Sequence, residues 1–346
     1  MRGSVRDVDP VAALRRTAFL LERELAESYR VQAFRKAAAA LERAGADDVA
    51  RRIQHGTLTE LKDVGPKTAA VAAEAASGAV PSYIVELEGR PAPADQLDDA
   101  GRGMLAQLRG DCHTHSDWSD GGSPPLEMAQ ACVELGHEWT VLTDHSPRLT
   151  VARGLSRERL EEQLDVVARI NAELAPFRYL TGIEVDILED GRLDQDDDLL
   201  ERLDVVVASV HSKLRSPGDA MTRRMVAAIA NPQVDVLGHC TGRMVMGRGR
   251  PESEFDSDVV IEACRRFDVA LEINSRPERL DPPRRILRDA VEAGILLAID
   301  TDAHAPGQLD WQANGVARAV ECGVDVDRVV TSWSADELLA WTARNR

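Results

Sequence analysis

Residues 109–124, "RGDCHTHSDWSDGGSP", set two histidines one residue apart, with an aspartate five residues after the second. In an extended strand the side-chain period is two, so His113 and His115 face the same way. That spacing suits two imidazoles on one ion. It suits two surface residues equally well, and the rest of the chain has to decide between them.

Downstream, short apolar runs alternate with helical patterns. The runs are "TVLTDH", "RYLTGIEVDI", "DVVVASVH", "VDVLGH", "VALEINS" and "LLAIDTDAH". Between them lie amphipathic segments such as Ser156 to Leu174, Met221 to Ala230, Ser257 to Phe267 and Pro282 to Ala293. Such alternation specifies α/β architecture with parallel strands, and about seven repeats point to a barrel rather than an open sheet. No Gly-rich phosphate loop follows the first strand, which argues against a dinucleotide-binding fold.

Nearly every one of these strands ends in a potential metal ligand. His113 and His115 come first, then His145, Glu184, His211, His239, and finally Asp302 with His304; Asp120 follows in the loop after the first strand. In a parallel barrel the C-terminal ends of the strands meet on one face, where barrel enzymes build their sites. Six of the eight histidines therefore converge, while His55 and His137 lie outside the pattern and read as ordinary structural residues. Nine donors exceed the needs of one ion, so two to three divalent metals are expected. Imidazole and carboxylate donors without thiolate favour Zn, Mn or Fe over Ca or Mg. Clustered divalent ions suit hydrolysis of phosphate esters, because they acidify water, clamp phosphoryl oxygens and stabilise the leaving alkoxide. They also set a local field that draws a phosphate to an acidic protein.

The acidity is unevenly spread. Net charge is −17, but residues 1–80 carry +2 and the remainder −19. That argues against a broadly basic surface that coats nucleic acid, and if DNA is bound the N-terminal part is the better candidate for first contact. Residues 1–85 read as helical, with Pro10 near a start and Gly45 at an end; a helix ends near Lys62, Val64-Gly65 turns, and Pro66 opens the next helix. Residues 86–107, with Pro91, Pro93 and an acidic patch, read as a linker to a domain at 108–346. Five scattered cysteines without a CxxC pair argue against disulfides and zinc ribbons. No run reaches the length of a membrane span and the N-terminus lacks a signal pattern, so the expected location is cytoplasmic, with no membrane partner.

The stretches "HTHSDWSDG", "LTDHS", "GIEVDI", "ASVHS", "GHCTGR", "EINS" and "TDAH" resemble the motifs of the PHP (polymerase and histidinol phosphatase) domain, in the version found at the C-terminus of bacterial family X DNA polymerases. The resemblance covers about residues 108–340 and implies a distorted (β/α)7 barrel with a trinuclear site. It assigns His113, His115, Glu184 and Asp302 to a first metal, Glu184, His211 and His239 to a second, and Asp120, His145 and His304 to a third. Glu184, His211 and Asp302 are expected to be catalytic. Cys240 stands where proline is commoner in the family. "YRVQAFRKAA" and "LTELKDVGPKTAA" resemble the small N-terminal domain of the same polymerases, an all-α unit with a helix-hairpin-helix at Leu61 to Ala70. Gly65, Lys67 and Thr68 would there face a DNA phosphate without reading sequence. The lysine expected as lyase nucleophile is replaced by Val71, and no nucleotidyltransferase region follows.

The expected activity is metal-dependent phosphoester hydrolysis at DNA ends, as a 3′-5′ exonuclease or a 3′-end-processing phosphodiesterase or phosphatase in DNA repair. Arg243, Arg276 and Lys213 are the candidate phosphate clamps. A small-molecule phosphatase of the histidinol-phosphate type shares the metal site, and a DNA-binding scaffold with structural metals is the non-enzymatic alternative. Oligomeric state is not legible.

Overall fold

The computed structural model describes residues 9–344 of the chain. The reading of the N-terminus as free of a signal pattern falls partly on residues 1–8, which lie outside the described residues, as do 345–346. Two compact units result, Met1–Gln96 and Leu97–Arg346. No described helix is long and apolar enough to cross a membrane.

The first unit is helical: α1 (Pro10–Arg23), α2 (Ser28–Ala44), α3 (Ala46–His55), α4 (Pro66–Ala76) and α5 (Ser82–Glu88). Asp9 caps α1 by accepting from the Ala12 N–H at 3.2 Å, and Pro10 occupies the first turn, where its missing N–H costs nothing. The apolar spacing from residue 9 to 45 runs through two helices, broken where Leu25 takes a left-handed backbone (φ 53°). Leu14, Leu21, Phe34, Leu41, Val71 and Leu87 fill the core between them. Leu58–Glu60 is one 3-10 turn after α3, so the helix expected to end near Lys62 stops earlier, at a left-handed Gly56.

The second unit opens with α6 (Asp99–Leu105) and α7 (Pro125–Leu135). Strand and helix then alternate as β1 (Trp139–Leu142), α8 (Arg157–Leu174), β2 (Arg178–Asp186), α9 (Asp197–Leu200), β3 (Val205–Ser209) and α10 (Gly218–Ile229). The rest is β4 (Val236–Leu237), α11 (Ser257–Phe267), β5 (Ala270–Asn274), α12 (Arg284–Glu292), β6 (Leu297–Asp300), α13 (Gln312–Glu321) and α14 (Ala335–Thr342). The stretch expected as linker, 86–107, therefore holds the end of α5 and all of α6. Asp98 caps α6 by accepting from the Gly101 N–H at 2.7 Å, and Leu97 and Met104 are buried, with the helix packed on α13. The prolines are confined to the front of that stretch, and its apolar residues behave as core.

The six strands of the described residues all lie parallel in one curled sheet, in sequence order. Thr114 makes single parallel bridges to Leu142 at one edge and Ala303 at the other. The segment expected as the first strand is thus one bridging residue, with His113 and His115 on either side of it. Four of the described strands, β2, β3, β5 and β6, change character along their inner face. Leu180, Val205, Val207, Val236, Ala270 and Ala298 form an apolar floor with Trp139 and Trp341. On the same faces further along come Glu184, Ser209, Glu272, Asn274 and Asp300, all buried. The floor holds the fold and the polar upper layer holds the chemistry.

Candidate metal centre

Glu184, near the end of β2, sits at the middle of this layer, 1 % exposed. Its Oε2 lies 3.3 Å from His113 Nε2, 3.6 Å from His115 Nε2 and 2.8 Å from His145 Nδ1. Its Oε1 lies 3.1 Å from His211 Nε2 and 2.8 Å from His239 Nε2. One carboxylate thus faces two sets of imidazoles with separate oxygens. Asp302 Oδ1 is 3.5 Å from His115 Nε2, and Asp120 Oδ1 is 3.4 Å from His145 Nε2 and 3.3 Å from His304 Nε2.

Four groups of these residues bring donor atoms close enough to hold an ion: His115/Asp120/His145/His304, His113/Glu184/His239, His113/His115/Asp302 and His145/Glu184/His211. All nine candidate residues take part, the eight expected at strand ends and Asp120 from its loop. Many of the atoms are buried with no hydrogen-bond partner: His113 Nε2, both ring nitrogens of His115 and His211, His145 Nδ1, His239 Nδ1 and Glu184 Oε2. Burying so many orphaned polar atoms together is costly unless something coordinates them. The donor set fits divalent cations that take nitrogen and oxygen.

Electrostatics within the cluster are divided. Burial alone would raise the Glu184 carboxyl, but His211, His113 and His145 outweigh it and hold it well below the usual carboxylate range. Asp302 is likewise pushed up by burial and carried well down by Arg279 and His115. His115 is driven well below the ordinary imidazole value by burial and by His304 and His145. It is therefore a neutral lone-pair donor.

Several supporting residues escaped the sequence reading. Asp144 accepts from Ser116 N at 2.8 Å, Ser116 Oγ at 2.5 Å and Gln163 Nε2 at 2.7 Å, pinning the loop between His115 and Asp120. Arg279 Nε donates to Asp302 Oδ2 at 3.0 Å, and Asp302 takes a left-handed backbone (φ 53°). Glu272 lies 2.6 Å from His113 Nδ1. Strand parity was the available signal, since each of Glu272, Asn274 and Asp300 continues the inward face of an apolar strand.

The three candidate phosphate clamps separate. Arg276 Nη1 lies 2.9 Å from His304 Nδ1 and donates to the Asp302 carbonyl at 3.1 Å, which places it at the cluster. Arg243 instead donates Nε to the Arg279 carbonyl at 3.1 Å and Nη2 to the Leu280 carbonyl, so its donors brace that loop. Lys213 is exposed, on a left-handed backbone after β3. In the first unit, Gly65 N–H donates to Thr68 Oγ1 at 3.0 Å and Thr68 Oγ1 donates to the Gly65 carbonyl at 3.0 Å. That mutual cap uses the Gly65 N–H within the turn, and Thr68 is buried. Lys67 Nζ lies 3.5 Å above the Tyr83 ring.

Residues 8–78 match the helix-hairpin-helix domain model and residues 111–276 match the PHP domain model. The DNA polymerase/3'-5' exonuclease PolX of Bacillus subtilis is 42% identical over 241 residues, 70% of this chain. The chain spans only 42% of the length of that relative. A protein of Thermoanaerobacter sp. (strain X514) named "Probable phosphatase" is 30% identical over 209 residues, 56% of this chain and 78% of that protein. Among solved structures, the histidinol phosphate phosphatase of Lactococcus lactis, complexed with zinc, L-histidinol and phosphate, matches with a TM-score of 0.47 and 18% identity, over 63% of this chain and 95% of that one. Matched motifs, a parallel α/β fold and a buried imidazole–carboxylate cluster coincide on one stretch of sequence, and the chain belongs to the PHP family of metal-dependent phosphoesterases, with a helix-hairpin-helix domain ahead of the PHP domain.

Proposed function

We propose that this protein hydrolyses phosphate esters at DNA ends, as a 3′-5′ exonuclease or a 3′-end-processing phosphodiesterase or phosphatase. The observation that carries this reading is the pairing, in one chain, of a full nine-residue donor set with a helix-hairpin-helix unit. A hairpin of that kind offers first-turn N–H groups and a lysine to a phosphate backbone, contacts a metabolite phosphatase has no use for. The Bacillus relative, named as polymerase and 3'-5' exonuclease, supports it.

Two to three divalent ions, Zn, Mn or Fe, would be held by His113, His115, Glu184 and Asp302, by Glu184, His211 and His239, and by Asp120, His145 and His304. Bound there, such ions supply Lewis acidity toward phosphoryl oxygens and lower the pKa of water. The chain's own contribution is positional. Glu184 holds two imidazole sets around one carboxylate, Asp302 is fixed by Arg279, and Arg276 presents a cation beside His304 for a non-bridging phosphate oxygen. Glu184, His211 and Asp302 form the reacting core of this proposal.

A second reading, hydrolysis of a small phosphomonoester such as histidinol phosphate, is favoured by the relatives named as phosphatases. The deciding experiment offers the full chain, with its metal content measured, 3′-labelled single-stranded and nicked DNA beside histidinol phosphate. Preferential DNA cleavage supports the proposal; turnover of histidinol phosphate with intact DNA across a Mn²⁺ series defeats it.

A further inference from the structure

Several buried carboxylates touch the cluster without belonging to any donor group, among them Asp186 beside His211, Asp111 beside the His113 backbone and Glu272 beside the His113 ring. Glu272, on β5, is fully buried in the layer just beneath the donors. Its Oε1 lies 2.6 Å from His113 Nδ1, while Oε2 accepts the backbone N–H of His239 and, at 3.2 Å, Asn274 Nδ2. Asn274 Nδ2 also donates to Asp302 Oδ2 at 3.2 Å, and Asn274 Oδ1 accepts the Arg276 N–H at 3.1 Å. The Glu272–Asn274 pair therefore reaches a side chain, a backbone and a carboxylate from three different segments of the site.

We infer that Glu272 is a positioning residue that fixes His113 with its proton on Nδ1 and its lone pair on Nε2, turned toward Glu184, and holds the His239 backbone in the same register. This rests on reading the cluster as a metal centre. The opposite tautomer would set the Nδ1 lone pair against a carboxylate oxygen at 2.6 Å, acceptor against acceptor. With the proton on Nδ1, His113 Nε2 is left free, buried and 3.3 Å from Glu184 Oε2. A carboxylate at position 272 accepts on both oxygens at once. An amide cannot: its NH₂ group must point at the His113 Nδ1–H, or at the His239 N–H and Asn274 NH₂. Glu272→Gln therefore either clashes donor against donor or turns His113 to the Nε2–H tautomer, which cannot ligate. Carboxylate partners of this kind set tautomer and ring orientation at metal-bound histidines generally.

The test uses full-length protein labelled with ¹⁵N-histidine and loaded with Zn²⁺, together with chelator-competition titrations of Zn²⁺ and Mn²⁺. In the wild type, His113, assigned by its absence from a His113→Gln spectrum, is expected as the Nδ1–H tautomer. Glu272→Gln is expected to weaken metal affinity by about 10–100-fold. A residue that only filled space would change the melting temperature and leave tautomer and affinity alone. If the wild type binds the ions but carries the His113 proton on Nε2, or if Glu272→Gln retains wild-type affinity and tautomer, the positioning role is overturned while the metal centre stands. If the wild type binds no divalent ion, the metal-centre reading itself fails. Should Glu272→Gln not fold, the wild-type tautomer alone decides.

Discussion

His145 Nδ1 lies 2.8 Å from Glu184 Oε2, and the other nitrogen of the same ring lies 3.4 Å from Asp120 Oδ1. One buried imidazole thus stands between two carboxylates. Burial would push its pKa down, but Glu184 and Asp120 override that and raise it to about 10. In metal-free protein at neutral pH the ring is an imidazolium, with no lone pair to give. Metal entry must expel that proton, so affinity is expected to rise with pH and binding at pH 7 to release protons. Calorimetry in buffers of different ionisation enthalpy measures the release; pH-independent binding without proton release would refute this account. The effect on metal-free stability has the opposite sign. The contribution of the raised His145 is fully present below its unfolded value of about 6.5 and is lost as pH climbs through about 10.

Glu184→Gln keeps the shape of the side chain and removes the charge that five imidazole nitrogens face. We expect at least about a hundredfold loss of kcat/KM, beyond the cost typical of a supporting residue, with fewer ions retained after dialysis. Elemental analysis and phosphoesterase kinetics on one preparation check this. Wild-type metal content in an inactive variant would show that Glu184 acts in the reaction without holding ions.

Gly154, in the loop after His145, has no room for a side chain. A Cβ there would stand 1.8 Å from the Ser146 carbonyl oxygen, a backbone atom that cannot swing aside. The next residue's N–H donates to the His145 carbonyl at 2.7 Å, so strain at 154 is transmitted to the ligand-bearing segment. Gly154→Ala is expected to cost about 1–3 kcal/mol and to weaken binding at the Asp120, His145 and His304 position first. Thermal melts and metal titration read both effects, and an unchanged titration would disconnect this loop from the site.

These side chains explain what the sequence could and could not convey. Strand-end placement made the clustering of the nine candidate donors legible, because a parallel sheet in sequence order brings all its C-terminal ends to one rim. Glu272 was equally placed by parity, two residues after the floor residue Ala270, and opens the quoted stretch "EINS", yet its role has no signature until its partner is known. Arg243 and Arg276 look alike along the chain. Only the tertiary path shows one arginine tied to the carbonyls of Arg279 and Leu280 and the other beside His304. The supposed linker misled because its prolines occupy a few positions, while Leu97 and Met104 make α6 part of a packed unit.

Arg276 supplies the next prediction. Its Nη1 is shared between His304 Nδ1 and the Asp302 carbonyl, and its guanidinium stacks 5.7 Å from the Trp311 ring centre. If Arg276 contacts the substrate phosphate as proposed, Arg276→Ala removes a charge-assisted contact and KM is expected to rise about tenfold or more. Inhibition by inorganic phosphate should weaken in parallel. Unchanged KM and phosphate inhibition would remove Arg276 from the substrate contacts and leave it as a brace for His304.

The hairpin makes its own prediction. Lys67 stands at the start of α4, its ammonium 3.5 Å above the Tyr83 ring, which holds a flexible side chain in place. If that end of α4 binds a DNA phosphate, each contact contributes about 0.9 to the slope of log affinity against log salt. Lys67→Glu is then expected to weaken binding to duplexes of unrelated sequence by a similar factor and to lower that slope by about one. Hydrolysis of a small chromogenic phosphoester should stay at the wild-type rate, because the substitution lies in the first unit and the donors lie in the second. Fluorescence anisotropy across a salt series, with the chromogenic assay beside it, separates the two. Equal slopes for variant and wild type would take α4 out of DNA binding, and a parallel loss of chromogenic activity would mean that the substitution had damaged the protein as a whole.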